Sequence, residues 1–316
     1  MHEFWQFFWL SAPLFVIVLA GFLIAKWRWR REWTEWGSKF VFMVALPALL
    51  FHLLSGLSEL PPVDTRLLIA FFGSCFIVFI IGRIVSARVF HLDGVSQSVF
   101  ALAGVFSNNV LLGVPIAKLA LGERAMPSVA LVLVFNAFTL WTLASVSVEW
   151  ARHGEFTLKG FGKTAISVVK NPLVAAIISG TAFGLSGCKL WDWAEVTLDG
   201  IGKLAAPLAL LVLGMGLAEY GVRQGLNQSL AICALKLIVQ PLVVWLLAVL
   251  LHLPPLETSV VVLLASLSIG VNVYMMAIQF GTLQSTIASS LVLSTGLAAI
   301  TTPVLLALLH AVSPDL

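Results

Sequence analysis

Long apolar runs, broken by short polar or Gly/Pro clusters, make up most of the chain. Ten such runs stand out: Phe7–Ala25, Ser38–Leu54, Leu67–Val89, Ser96–Leu121, Pro127–Trp150, Asn171–Gly187, Ile201–Ala218, Ser229–Leu251, Thr258–Phe280 and Ile287–His310. Each is close to the ~20 apolar residues that carry a helix across a bilayer. They are continuous, whereas the strands of a membrane barrel alternate between apolar and polar positions. The pattern predicts an all-α polytopic membrane protein of ten transmembrane helices.

Composition agrees. Apolar residues make up 60% of the 316 and charged ones 10%, against about 45–50% and 25% in soluble domains. Water-soluble and disordered readings are excluded. The net charge of +3 is too small and too scattered for nucleic acid. Cys75, Cys188 and Cys233 are far apart, with no metal or disulfide spacing, and read as small apolar fillers. The first basic cluster follows the first run, the reverse of a cleavable leader, so the first span is expected to stay.

Basic residues orient the spans. With the N-terminus outside, twelve fall on the inside: Lys26, Arg28, Arg30, Arg31, Lys39, Arg83, Arg88, Arg152, Lys159, Lys163, Lys170 and Arg223. Only Arg66, Arg124, Lys189 and Lys203 fall outside. Cytoplasmic loops carry the excess of Lys and Arg, so both termini are expected outside a cell inner membrane. Nine tryptophans, among them Trp27, Trp36, Trp150 and Trp191, fall at or near the expected interfaces. The longest polar stretch, 151–170, reads as a cytoplasmic linker between residues 1–150 and 171–316, with five spans on each side.

The two halves repeat. Pro13 and Gly21 of span 1 correspond to Pro172 and Gly180 of span 6, since 172 − 13 and 180 − 21 both give 159. Pro47 of span 2 corresponds to Pro207 of span 7 (207 − 47 = 160), and Asn109 of span 4 to Asn272 of span 9 (272 − 109 = 163). Five spans per copy is an odd number, so the second copy enters from the opposite side. Inverted repeats of this kind build secondary transporters whose site lies near the midplane on discontinuous helices.

The breaks are expected in spans 4 and 9. Span 4 carries Ser107-Asn108-Asn109 followed by Gly113 and Pro115, and proline removes a backbone donor. Span 9 carries Ser268, Gly270 and Asn272 without a proline, which predicts a milder break. Half-helix N-termini at such breaks suit an anion. The plainer reading of Asn109 and Asn272 is interhelical hydrogen-bond glue.

These residues resemble the auxin efflux carrier family, in particular its bacterial malonate and organic-acid transporter-like members. Leu112-Gly113-Val114-Pro115 is similar to the end of the family's first crossover segment, and Asn272 to Gly281 to its second. Ala12-Pro13-Leu14-Phe15-Val16-Ile17 with Gly21, and Leu46-Pro47-Ala48, are similar to its first two helices. The resemblance implies ten helices in two inverted five-helix repeats, with broken helices 4 and 9 crossing at the midplane. It also implies a small organic carboxylate as substrate, malonate-like or auxin-like, held by Asn109. The chain departs from the family in lacking a proline near Ser268 or Ile269.

The expected substrate site is therefore Asn108, Asn109, Asn272 and Tyr274 with Lys236, and the expected helix breaks are Pro115, Gly113, Gly270 and Ser268. Lys236 lies seven residues into span 8, roughly 10 Å deep at about 1.5 Å per residue. It either faces a cavity or snorkels to the interface. Lys118 and His52 read as interfacial, and Asn136 as glue.

No Asp or Glu lies deep in a span, and no metal motif or nucleophile–base pair occurs, which argues against an enzyme. A channel and a carboxylate-binding receptor remain as alternatives, as does a sodium-coupled symporter of the same fold. A sodium ion on the unwound segments is the one cofactor left open. Lipid and a small carboxylate are the expected partners, and Gly180-x-x-x-Gly184 leaves room for a homodimer.

Overall fold

The computed structural model describes residues 2–27, 36–37, 39–56, 63–153, 172–220 and 225–312. Most of the expected linker lies outside the described residues, as do Arg28, Arg30, Arg31, Lys159, Lys163, Lys170 and Arg223.

The described residues are helical: α1 (His2–Lys26), α2 (Val41–Ser55), α3 (Arg66–Arg88), α4 (Gly94–Ala103), α5 (Asn109–Leu121), α6 (Met126–His153), α7 (Pro172–Leu185), α8 (Asp192–Tyr220), α9 (Leu226–Leu250), α10 (Pro255–Ser266), α11 (Val271–Phe280) and α12 (Gln284–Val312). Five of them, α3, α6, α8, α9 and α12, are long and apolar enough to cross a membrane. The others are shorter or have shorter apolar stretches. The apolar runs expected as spans 4 and 9 are each two short helices, α4 with α5 and α10 with α11. Leu19, Ile80, Leu242, Ile300 and Leu308 are among many large apolar side chains left exposed, as a lipid-facing surface requires.

Three helices begin or continue through a π turn: Val41–Ala45 in α2, Asn109–Gly113 in α5 and Leu235–Val239 in α9. Each turn is followed at its second residue by proline, namely Pro47, Pro115 and Pro241. Proline has no N–H to give and its ring crowds the preceding turn. A wider turn just ahead of it accommodates both defects within a continuous helix.

Glycines bring helices into backbone contact, as small residues do in membranes. In the packing of α1 on α8, a Cβ on Gly21 would overlap the Leu211 carbonyl, and one on Gly214 would overlap that of Val18. In the packing of α7 on α2, a Cβ on Gly180 would sit 2.9 Å from the Phe51 carbonyl. The glycine pair expected to be free for a second copy is therefore used, at Gly180, within the chain. Cys75 and Cys233 are buried, but Cys188 is exposed beyond the end of α7, so it fills no core space. Lys118 is exposed and pairs with Glu123 at 2.7 Å.

Loops meet at two ends. Arg66 donates to the Leu251 carbonyl at 3.0 Å at one end. At the other, Ser96 and Thr282 share a 2.6 Å hydroxyl bond and Arg152 donates to the Phe280 carbonyl at 3.1 Å.

Candidate functional site

The chain leaves the helix between α4 and α5, and again between α10 and α11. After α4, Gly104 caps the helix and Val105 to Asn108 run outside regular structure. After α10, Leu267 (ψ 163) turns the backbone into an extended path that ends at Gly270 (φ −73, ψ 140). Both interruptions are complete. The second, without a proline, is no milder than the first.

The two extended pieces pair. Ser107 and Ile269 form an antiparallel bridge. Asn108 N donates to Ser268 O at 2.9 Å, and Gly270 N donates to Phe106 O at 2.8 Å. Backbone groups that would otherwise be orphaned at this depth satisfy each other. Gly270 permits the approach, because a Cβ there would lie 3.1 Å from the Ser107 carbonyl oxygen. Around the bridge, α4 packs beside α11 and α10 beside α5.

Four helix ends converge here, two of each polarity. The C-terminal ends are met from α9. Lys236 Nζ donates to the Ala265 carbonyl in the last turn of α10, to Ser107 Oγ at 2.7 Å and to Gln240 Oε1 at 2.6 Å. Gln240 Nε2 donates in turn to the Val105 carbonyl beyond α4 at 3.0 Å. Lys236 and Gln240 are both fully buried. Snorkelling is thereby excluded. The three donors of the ammonium have three acceptors, and none of these is a carboxylate.

The N-terminal ends are different. Neither Asn108, which precedes α5, nor Gly270, which precedes α11, caps its helix with a side chain. Both ends border a cavity of about 50 Å³ whose wall includes Ser107, Asn108, Asn109, Asn136, Asn272, Phe42 and Trp141. Asn109 is 2% exposed, and neither its Nδ2 nor its Oδ1 has a hydrogen-bond partner. Asn108 Nδ2 and Asn136 Oδ1 are likewise buried and unpaired. Unmet buried amides cost about 1–3 kcal/mol each. They collect here on the wall of one cavity, next to positive helix ends.

Of the residues expected at the site, Asn108, Asn109 and Asn272 share this wall, while Lys236 stands behind Ser107 and touches the site through it. Tyr274, half-buried on α11, is not part of the wall. Ser268 and Gly270 lie in the second interruption. Gly113 and Pro115 do not break a helix: the interruption ends at Asn108, and the chain runs as one helix through both. Gly113 instead admits α10, since a Cβ there would meet Leu264 Cδ2 at 2.9 Å. Ser107 is expected only as part of the first break and Gln240 not as a site residue, and Asn136 reads as glue. The signal available was the i, i+4 spacing of Lys236 and Gln240 directly before Pro241. Among the described residues no group of three His, Cys, Asp or Glu side chains could hold a metal.

Comparison with known proteins bears on this geometry. A family model described as "Membrane transport protein" matches residues 7–306. A relative from Rhizobium meliloti (strain 1021), named "Putative malonate transporter", is 26% identical over 308 residues, which cover 96% of this chain and 95% of the relative. The interrupted, paired helices thus belong to a membrane transporter, and the chain is a member of the membrane transport protein family, the auxin efflux carrier family.

Proposed function

We propose that this transporter moves a small organic carboxylate, malonate-like or auxin-like, across the inner membrane by alternating access. One observation carries the reading: two uncapped helix N-termini and unpaired buried amides face one cavity, and the buried cation Lys236 backs it with no carboxylate among its partners. Helix N-termini and amide donors suit an anion, and the protonated Lys236 behind Ser107 adds to that preference. Asn109 holds the carboxylate, with Asn108 and Asn272 beside it. Tyr274 shapes the approach along α11.

The same reading has ten spans in two inverted repeats, 1–150 and 171–316, joined by the 151–170 linker, with both termini outside. Reciprocal packing supports it. Gly21 meets Leu211 and its repeat mate Gly180 meets Phe51, two contact points that are themselves 160 residues apart (211 − 51). The loop contacts support it too. The Arg66–Leu251 contact joins two loops expected outside, and the Ser96–Thr282 and Arg152–Phe280 contacts join loops expected inside.

Sodium coupling is the alternative. The Ser107, Gln240 and Ala265 oxygens at the crossing are taken by the Lys236 ammonium, so a sodium ion there would rely on the free Asn109 and Asn136 Oδ1 atoms. Two side-chain oxygens make a poor sodium site, and the reading is movement of the anion without sodium and without an obligatory proton on the protein. A membrane potential acts on such a charge with about 2.3 kcal/mol per 100 mV. In proteoliposomes, an imposed potential alone should drive saturable flux of labelled malonate, with counterflow. Flux that follows only a pH or sodium gradient would overturn the uncoupled mechanism. Flux without saturation or counterflow would indicate a channel, and binding without flux a receptor.

A further inference from the structure

The unpaired atoms of the cavity are not all donors. Asn109 presents both a free Nδ2 and a free Oδ1, so one donor and one acceptor are on offer whichever way its amide is turned. Asn136 Oδ1, on α6 across the same cavity, is also free, and Asn136 is 6% exposed. Ser107 accepts from Lys236, which leaves its own hydroxyl proton to give.

A carboxylate has only acceptors. It can meet Asn108 Nδ2, Asn109 Nδ2, the Ser107 hydroxyl and the N-terminal amides, but it cannot meet the Oδ1 atoms of Asn109 and Asn136. A second ionised carboxylate would set its negative oxygens against them. A site with a buried acceptor rejects a ligand that leaves that acceptor unmet.

We infer that the cavity selects a monoanionic acid that carries an O–H or N–H donor beside its carboxylate: a half-protonated dicarboxylic acid, a hydroxy acid or an amide-bearing acid. This class rests on the carboxylate-transport reading above and narrows it. The fully ionised dicarboxylate is the disfavoured form. Asn136 becomes a specificity residue, with its carbonyl reading the donor.

The test compares ligands of equal charge and similar size on the purified full-length protein. Malonamate offers a carboxylate and an amide N–H. Monomethyl malonate offers a carboxylate and acceptors only. Isothermal titration should find malonamate bound at least tenfold more tightly, and Asn136→Ala should shrink that ratio to about threefold or less. Equal affinities for the two ligands in the parent protein would overturn the inference and leave the carboxylate reading standing. If neither ligand binds, and malonate does not bind either, the carboxylate reading falls and this inference falls with it.

Discussion

Lys236 Nζ lies 2.7 Å from Ser107 Oγ, across 129 residues of sequence. The ammonium therefore reaches the cavity through a hydroxyl rather than by direct contact. Its charge acts at a distance, while its donors hold the Ser107 side chain and the Ala265 carbonyl in place. The hydrogen bonds give it a structural role, and the proposed carboxylate reading adds an electrostatic one.

Lys236→Gln separates them. Glutamine keeps a donor for the acceptors but removes the charge. The variant should purify folded and bind malonamate about tenfold more weakly, and calorimetry reads this directly. Lys236→Met removes the donors as well and should lower stability by about 2–4 kcal/mol, because buried acceptors lose their partners. Unchanged affinity in the glutamine variant would exclude the electrostatic role.

Asn109→Ala and Asn272→Ala should each reduce carboxylate binding at least tenfold with little loss of folded yield. Asn109 makes no hydrogen bond through its side chain that folding depends on. If both variants bind and transport like the parent, the amides serve packing alone.

Gly21→Ala should be destabilising out of proportion to its size. The added Cβ would collide with the Leu211 carbonyl and force α1 away from α8. Overpacking of this kind costs about 1–3 kcal/mol, visible as a lower Tm in detergent. Gly56→Ala, where a Cβ meets nothing within 4 Å, is the control and should leave Tm unchanged.

Single cysteines test the orientation. Gly56→Cys should react with a membrane-impermeant maleimide from outside, and Gln284→Cys only from inside. Labelling of both from one face would rule out the expected orientation.

Asp93 provides a pH dependence outside the spans. The Ser96 hydroxyl, together with the Ser96 and Val95 backbone amides, holds its carboxyl below the usual carboxylate range. A carboxylate with a depressed pKa stabilises the fold above its ordinary pKa, and loses that contribution as pH falls through the lowered value. The cap should contribute about 1 kcal/mol. In acid titrations followed by Tm, Asp93→Ala should lower the plateau near neutral pH and flatten the acid limb. An acid limb unchanged in the variant would show that this cap contributes nothing.

Much of this was legible in the chain. The apolar runs located the long helices α3, α6, α8, α9 and α12, and the landmarks Gly21 and Gly180 proved to be backbone contact points. Proline was the misleading signal. Pro115 drew attention to the wrong end of its run, because a π turn can absorb a proline without ending the helix. The real interruptions carry Gly104 and Gly270, and what stabilises them is the other interruption. A partner so distant in sequence leaves no local pattern. The contacts of Lys236 with Ser107 and Ala265 were hidden for the same reason, since depth could be counted along the helix but its facing could not.

The bridge between Ser107 and Ile269 also orders events in time. Its two residues are 162 apart in sequence (269 − 107). At about 5–20 residues per second, the ribosome needs roughly ten to thirty seconds to supply the second after the first. During that interval the Phe106 carbonyl and the Asn108 amide have no mates, and exposed backbone is costly in hydrocarbon. The first interruption therefore gains these backbone partners only after the second has been synthesised. The crossing is a feature of the whole chain, which neither half can complete alone.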